Sequence, residues 1–297
     1  MTTQADPAAR ARAAQRSPRI VVGVDGSEQN QAALEWACAE ARDLDAELVL
    51  TAACPLYPNA PGAWAVDLGI QEFEDSTRAS LTAMRERLST TVKTISIHVR
   101  TDGPVPTLLS VADDADLVVL GQRGVGATRR IMVGSTSIGV AGRSPVPVVV
   151  VPDSWTGPRV AEGPVVVGVF LTDDPHKQRD GEVLDYAFAR AARLRAPLVA
   201  VAALERPRHG TMADATDALP AFLEPWTRRY PDVDVEPRVT SDSPTAAVLE
   251  AAPDARMVVL GRHTRTRHFG GFTLGSTARS VLRHAPCPVA VIPLAAG

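Results

Sequence analysis

Asp116-Leu-Val-Val-Leu-Gly121, continued by Gln-Arg-Gly124 and, after nine further residues, by Gly134-Ser135-Thr136-Ser137, joins an apolar run to a glycine-bracketed loop. The run 116–121 reads as a buried parallel strand, short and rich in branched side chains. The following Ile138-Gly-Val-Ala-Gly142 reads as a short helix that starts at a Ser/Thr cap. Glycines at the end of such a strand let backbone N–H groups come close to an anion. A helix start behind them adds unpaired donors and a favourable dipole. Strand, glycine loop and helix together predict a phosphate cradle in an α/β protein.

The same stretch recurs later in the chain. Asp116-Leu-Val-Val-Leu-Gly121 is echoed by Arg256-Met-Val-Val-Leu-Gly261, and Gly134-Ser135-Thr136 by Gly275-Ser276-Thr277. Ile20-Val-Val-Gly23-Val-Asp25 matches Val165-Val-Val-Gly168-Val-Phe170, and Ser144-Pro-Val-Pro147 with its valine run matches Ala285-Pro-Cys-Pro288. In chain order, from Gly23 to Pro147, the offsets are 145, 140, 141 and 141 residues. Four blocks in one order mark a tandem duplication. The predicted plan is a disordered tail over 1–17, one domain over 18–153, a Trp/Gly/Pro-bearing linker over 154–163 and a second domain over 164–297.

In the first half, strands are expected near 20–25, 47–53, 93–99, 116–121 and 147–151, and in the second near 165–170, 197–203, 233–239, 256–260 and 288–292. Helical spacing fills the gaps: 28–43 behind Ser27 as N-cap, 69–90 with Ile70, Phe73, Thr77, Leu81, Met84 and Leu88 on one face, and 105–114 after the Gly103-Pro104 turn. Strands alternating with helices predict parallel βαβ units.

The 297 residues suffice for two ordinary cores, and 45% hydrophobic with 22% charged residues is a globular balance. A net charge of −3 and only 4% aromatic residues give no footing for nucleic acid. Cys38, Cys54 and Cys287 form no closely spaced pair and read as reduced, buried thiols. No apolar stretch reaches membrane-spanning length and no secretory leader is visible, so a cytoplasmic location is expected.

Val21-Val-Gly23-Val-Asp25-Gly-Ser27, then Ala33-Leu-Glu-Trp36-Ala, the spacing of Gly121, Gly124, Gly134 and Ser135, and the Pro-Val-Pro-Val-Val-Val ending resemble the universal stress protein family, in its tandem form. The resemblance implies a doubly wound, Rossmann-like, five-stranded parallel sheet of order 3-2-1-4-5 in each domain. With that order, Asp25 and Gly121 end neighbouring strands at the topological switch point, where such folds bind ligands.

The resemblance further implies ATP in the first domain, with magnesium left open. Asp25 would accept from ribose or adenine donors, or alternatively cap a helix. Gly121 and Gly124 would give close backbone approach, or a mere tight turn. Gly134, Ser135, Thr136 and Ser137 would meet phosphate oxygens, or act as an ordinary cap. Arg123, Arg129 and Arg130 could add charge or lie in a solvated loop, and Gly23, Ala53 and Leu120 would line the adenine end.

The second half departs from this pattern: Phe170 replaces the acidic acceptor, Thr264 replaces Gly124, and Gly261 to Gly275 spans 14 positions against 13 from Gly121 to Gly134. Weak or absent nucleotide binding is expected there. The segment Arg262-His-Thr-Arg265-Thr-Arg267-His268 reads as a charged loop, with binding of another anion as the alternative.

No P-loop, complete dinucleotide fingerprint, metal cluster or nucleophile elbow occurs. The resemblance implies an ATP-binding stress-response regulator, and these absences point to a non-catalytic one. Two alternatives stay open: a scaffold acting through its domain and dimer interfaces, and a slow ATPase or nucleotidyl transferase. The proline-bracketed strands 147–151 and 288–292 are expected at sheet edges, able to pair with each other as an intramolecular pseudo-dimer. A homodimer of the whole chain is left open, as are the protein partners.

Overall fold

The computed structural model describes residues 16–54, 66–124, 133–157, 163–171, 180–204, 212–262, 264–266 and 272–294. Side chains of 66–70, 264–266, 272 and 273 fall outside that description.

Branched apolar runs set the strands, and their alternation sets two buried layers. In β1 (Arg19–Gly23), Ile20 and Val22 face one layer and Val21 the other. In β4 (Leu117–Gly121), Leu117 and Val119 face the first layer while Val118 and Leu120 face the second. Only a sheet covered on both faces buries such runs completely, at about 1.5–3 kcal/mol for each large side chain.

The first half comprises β1, α1 (Gln31–Leu44), β2 (Glu47–Ala53), α2 (Val66–Leu88), β3 (Thr94–Arg100), α3 (Pro104–Ala112), β4, α4 (Ser135–Ala141) and β5 (Val148–Val151). The second repeats it as β6 (Val165–Val169), α5 (Gly181–Leu194), β7 (Leu198–Ala203), α6 (Met212–Arg229), β8 (Val235–Thr240), α7 (Pro244–Ala251), β9 (Met257–Gly261), the hairpin β10 (Thr264–Thr266) and β11 (Phe272–Leu274), α8 (Ser276–His284) and β12 (Val289–Ile292). Helices α1, α2, α5 and α6 cover the first layer, and α3, α4, α7 and α8 the second.

The strands form one ten-stranded sheet in the order β3-β2-β1-β4-β5-β12-β9-β6-β7-β8. Each half therefore has the 3-2-1-4-5 order expected for it. Within this sheet all pairings inside each half are parallel, and the β10–β11 hairpin forms a separate antiparallel pair. The two sheets are continuous because β5 and β12 pair antiparallel, so the strands expected at edges become the interior of a larger sheet.

Several expectations need correction. Helix α1 starts at Gln31, after a 3-10 turn at Glu28–Asn30, and Ser27 makes no side-chain cap bond. Helix α4 starts at Ser135, earlier than the apolar stretch suggested, with Gly134 at its N-cap and no side-chain cap. Phe73, assigned to the apolar face of α2, is 56% exposed. Part of the charged segment after Gly261 forms the hairpin β10–β11, with Thr264 paired to Leu274. Burial of Cys38, Cys54 and Cys287 agrees with the reading of inert thiols. Burial pushes Cys38 up to about 11 and Cys287 up to about 12.

Candidate functional site

The carboxyl ends of β1 and β4 are neighbours, since β1 pairs in parallel with β4 through Ile20·Leu117, Val21·Val118 and Val22·Val119. Chain connections leave this pair in opposite directions, toward β2 on one side and β5 on the other. The crevice so formed is the switch point of the first half.

Asp25 stands just past the end of β1, exposed, with its backbone held by the Val24 N–H bond to the Thr51 carbonyl at 2.7 Å. Its Oδ1 accepts from the Ser27 backbone N–H at 2.9 Å and from the Ser27 hydroxyl at 2.7 Å. Such a turn fixes the carboxylate's orientation. The other oxygen, Oδ2, lies against the Cα of Gly124: a Cβ built there would collide with it and stand 3.4 Å from Asp25 Cγ. Two motifs almost a hundred residues apart in sequence thus touch.

Gly121 ends β4 beside the start of α1. A side chain on it would meet the Arg123 carbonyl at 3.0 Å, Asn30 Nδ2 at 3.5 Å and the Gln29 carbonyl at 3.6 Å. Gly134 N–H donates to the Gln122 carbonyl at 2.8 Å, which draws the loop's two ends together. Ser135 is exposed and Thr136 half-buried at the opening of α4. Ser137 makes a tertiary contact that sequence spacing does not reveal. Its buried hydroxyl donates to the Gly121 carbonyl at 2.7 Å, tying α4 to β4 and using up its one proton.

Arg123 is likewise diverted, since its guanidinium ion-pairs with Asp153 at the end of the first half. Gly23 and Leu120 form packing: a Cβ on Gly23 would lie 2.6 Å from Leu120 Cδ2. Leu120 is 4% exposed, and Ala53 is half-buried at the end of β2. Arg129 and Arg130 lie outside the described residues.

Two residues of the site were not anticipated. Asn30 is buried at the N-cap of α1 and donates from Nδ2 to the Gly23 carbonyl at 2.9 Å, bracing the end of β1. In the repeat its counterpart is Asp180, also buried before the first helix, which accepts from the Phe170 backbone N–H at 2.5 Å. A polar residue placed just before an apolar helix in both copies was the signal available. Gln122 is the second: its Nε2 donates at 2.7 Å to the Leu282 carbonyl near the end of α8, across the two halves. Arg262, its counterpart in the repeat, ties to the Ser144 carbonyl of the first half.

The second crevice is built differently. Phe170, where Asp25 stands in the first, is 52% exposed. A side chain on Gly261 would meet Val183 Cγ2 at 3.1 Å and Leu294 Cδ1 at 3.5 Å, where Gly121 has polar neighbours. Among the described residues there is no group of three or more His, Cys, Asp or Glu suited to a metal ion. Nor is any described helix long and apolar enough to cross a membrane.

The model of the Universal stress protein family matches this chain twice, over residues 17–152 and 169–293. The chain belongs to the universal stress protein family. Two universal stress proteins of Mycobacterium tuberculosis are each 31% identical to it. One aligns over 303 residues, 92% of this chain and 94% of the relative. The other aligns over 295 residues, 92% of this chain and 96% of the relative.

The fold is shared with a universal stress protein from Archaeoglobus fulgidus, at TM-score 0.69 and 19% identity over 94% of this chain and 99% of that one. It is shared also with a putative universal stress protein from Pseudomonas aeruginosa, at TM-score 0.64 and 17% identity over 95% of each chain. The tandem form of the universal stress protein domain, expected from the repeat, is thereby established for this chain.

Proposed function

We propose that the first half of this universal stress protein is an ATP receptor, and that the protein acts as a nucleotide-dependent regulator in a stress response. The contact between the Asp25 carboxylate and Gly124 at the β1/β4 switch point carries this reading. A carboxylate oriented by Ser27 suits the hydroxyl donors of a ribose, and the neighbouring glycine gives the sugar and phosphates access to backbone.

Gly134 supports the phosphate end. Its φ of −67° and ψ of 147° suit any residue, and among the described residues a Cβ on it would have no neighbour closer than 3.6 Å. Neither this backbone nor packing among the described residues demands glycine there, whereas an approaching polyanion would. Ser135 and Thr136 would supply amide and hydroxyl donors; Ser137 and Arg123 would hold the loop rather than the ligand. ATP would supply charge and shape to be recognised, and these residues would bind and orient it. The second half, with Phe170 and an apolar rim, would serve as a scaffold for the first.

Asp25→Ala tests the proposal by titration calorimetry with ATP. Loss of about 1–3 kcal/mol of charged hydrogen bonding corresponds to about 5–150-fold weaker binding. A folded variant that binds ATP as tightly as the wild type would falsify the assignment. Adenine nucleotide identified by mass spectrometry in acid extracts of the purified protein is the companion expectation.

A further inference from the structure

The two halves are related by an internal pseudo-twofold axis whose position follows from strand register. Strand β5 pairs with β12 as Val148·Val291, Val149·Ala290 and Val150·Val289. Because Pro147 and Pro288 are equivalent in the repeat, Val149 and Ala290 are the same position of the two copies. The axis passes through that pair, under the face covered by α1 and α5.

Helices α1 and α5 are equivalent as well. Each has 14 residues, and they end on left-handed residues, Asp45 with φ 50° and Arg195 with φ 51°. Position by position, Trp36 matches Tyr186, Glu40 matches Arg190 and Asp43 matches Arg193. One helix is acidic where the other is basic.

These residues meet across the axis. Glu40 is 5% exposed and Arg190 8% exposed. Arg190 binds one oxygen of the Glu40 carboxylate and Arg193 the other. The Arg190 guanidinium also lies 5.1 Å from the centroid of the Trp36 ring. Pairing of two first halves about the same axis would set Glu40 and Asp43 against their own copies. Pairing of two second halves would do the same to Arg190 and Arg193. Either arrangement sets buried like charges together, Glu40 against Glu40 or Arg190 against Arg190, in place of the present ion pair.

We propose that the α1/α5 face is a pairing surface that accepts only the opposite half: its partner must present arginines at the positions where this half presents acids. Buried ion pairs add little net stability compared with apolar packing, but they penalise wrong partners heavily. The inference does not depend on nucleotide binding.

Charge reversal in the full-length chain tests it. Glu40→Arg gathers three guanidiniums at the axis and should lower Tm by at least about 5 °C, the lower end expected for an uncompensated buried charge in a protein of this size. Glu40→Arg combined with Arg190→Glu and Arg193→Glu exchanges the signs and should regain most of that loss. Co-expression of the Glu40→Arg chain with the Arg190→Glu/Arg193→Glu chain should yield a one-to-one heterodimer by native mass spectrometry, absent from either chain alone. If Glu40→Arg is insoluble, soluble protein recovered in the triple variant and in co-expression supports the proposal equally. An unchanged Tm in Glu40→Arg, a triple variant no better than the single one, or a mixture without heterodimer overturns it.

Discussion

Asp25 and Gly124 touch: the carboxylate Oδ2 occupies the space that any side chain at position 124 would need. That single contact joins the end of the first strand to the loop after the fourth, and it allows a sharp separation of site effects from core effects.

Gly124→Ala should displace the Asp25 carboxylate while leaving the sheet intact. Asp25 is exposed and its side chain is short, so the cost falls on the crevice and not on the core. ATP binding by calorimetry is expected to weaken to a degree similar to Asp25→Ala, with the urea midpoint of unfolding within error of the wild type. A variant with full affinity would show that the carboxylate's position is unimportant.

Gly23→Ala and Gly168→Ala probe the opposite case. Added Cβ atoms would lie 2.6 Å from Leu120 Cδ2 and 2.7 Å from Leu260 Cδ2. Both glycines sit on central strands against packed leucines, where overpacking costs about 1–3 kcal/mol. Denaturant unfolding should register similar losses in both variants, although only one half is proposed to bind nucleotide. A large difference between them would mean that the repeat is not packed alike.

His98 on β3 sets a pH dependence. Burial and the charges of Arg100, Arg19 and Arg78 hold its imidazole below the usual 6.5. Its Nε2 is buried with no hydrogen-bond partner among the described residues. The unfolded chain therefore takes up this proton first as pH falls through about 6.5, and stability drops until the folded-state value is passed. Thermal unfolding of His98→Gln should lose less Tm between pH 7 and pH 5 than the wild type does, both in ~0.1 M salt. Equal losses would assign the acid sensitivity to other groups.

The fold was legible because its signals are local and repeated. Runs such as Val165-Val-Val and Val148-Val-Val-Val have few alternatives to a doubly covered strand, and the duplicated blocks fixed the order of elements twice over. Element ends were harder to place. Ser27 reads as a helix cap, yet its hydroxyl is engaged by Asp25, so the α-helix proper begins at Gln31.

The meeting of Asp25, Gly121 and Gly124 at one crevice was legible from spacing and strand order. Side-chain partners were less legible, because tertiary contacts set them: Ser137 bonds the Gly121 carbonyl and Arg123 pairs with Asp153. Asn30 and Gln122 act through contacts with distant backbone, which spacing along the chain does not reveal. The hairpin β10–β11 was missed because its strands are only three residues each, and β10, Thr-Arg-Thr, carries a charge and no apolar residue.

The antiparallel junction of β5 and β12 has a consequence for how this molecule can change over time. In an assembly of identical subunits, every mutation beside the symmetry axis arrives on both sides at once. Fusing two copies into one polypeptide lifts that restriction, so each lobe can drift alone while the seam between them persists. Glu40 opposite Arg190, and Phe170 in the place of Asp25, are outcomes that a pair of identical subunits cannot reach.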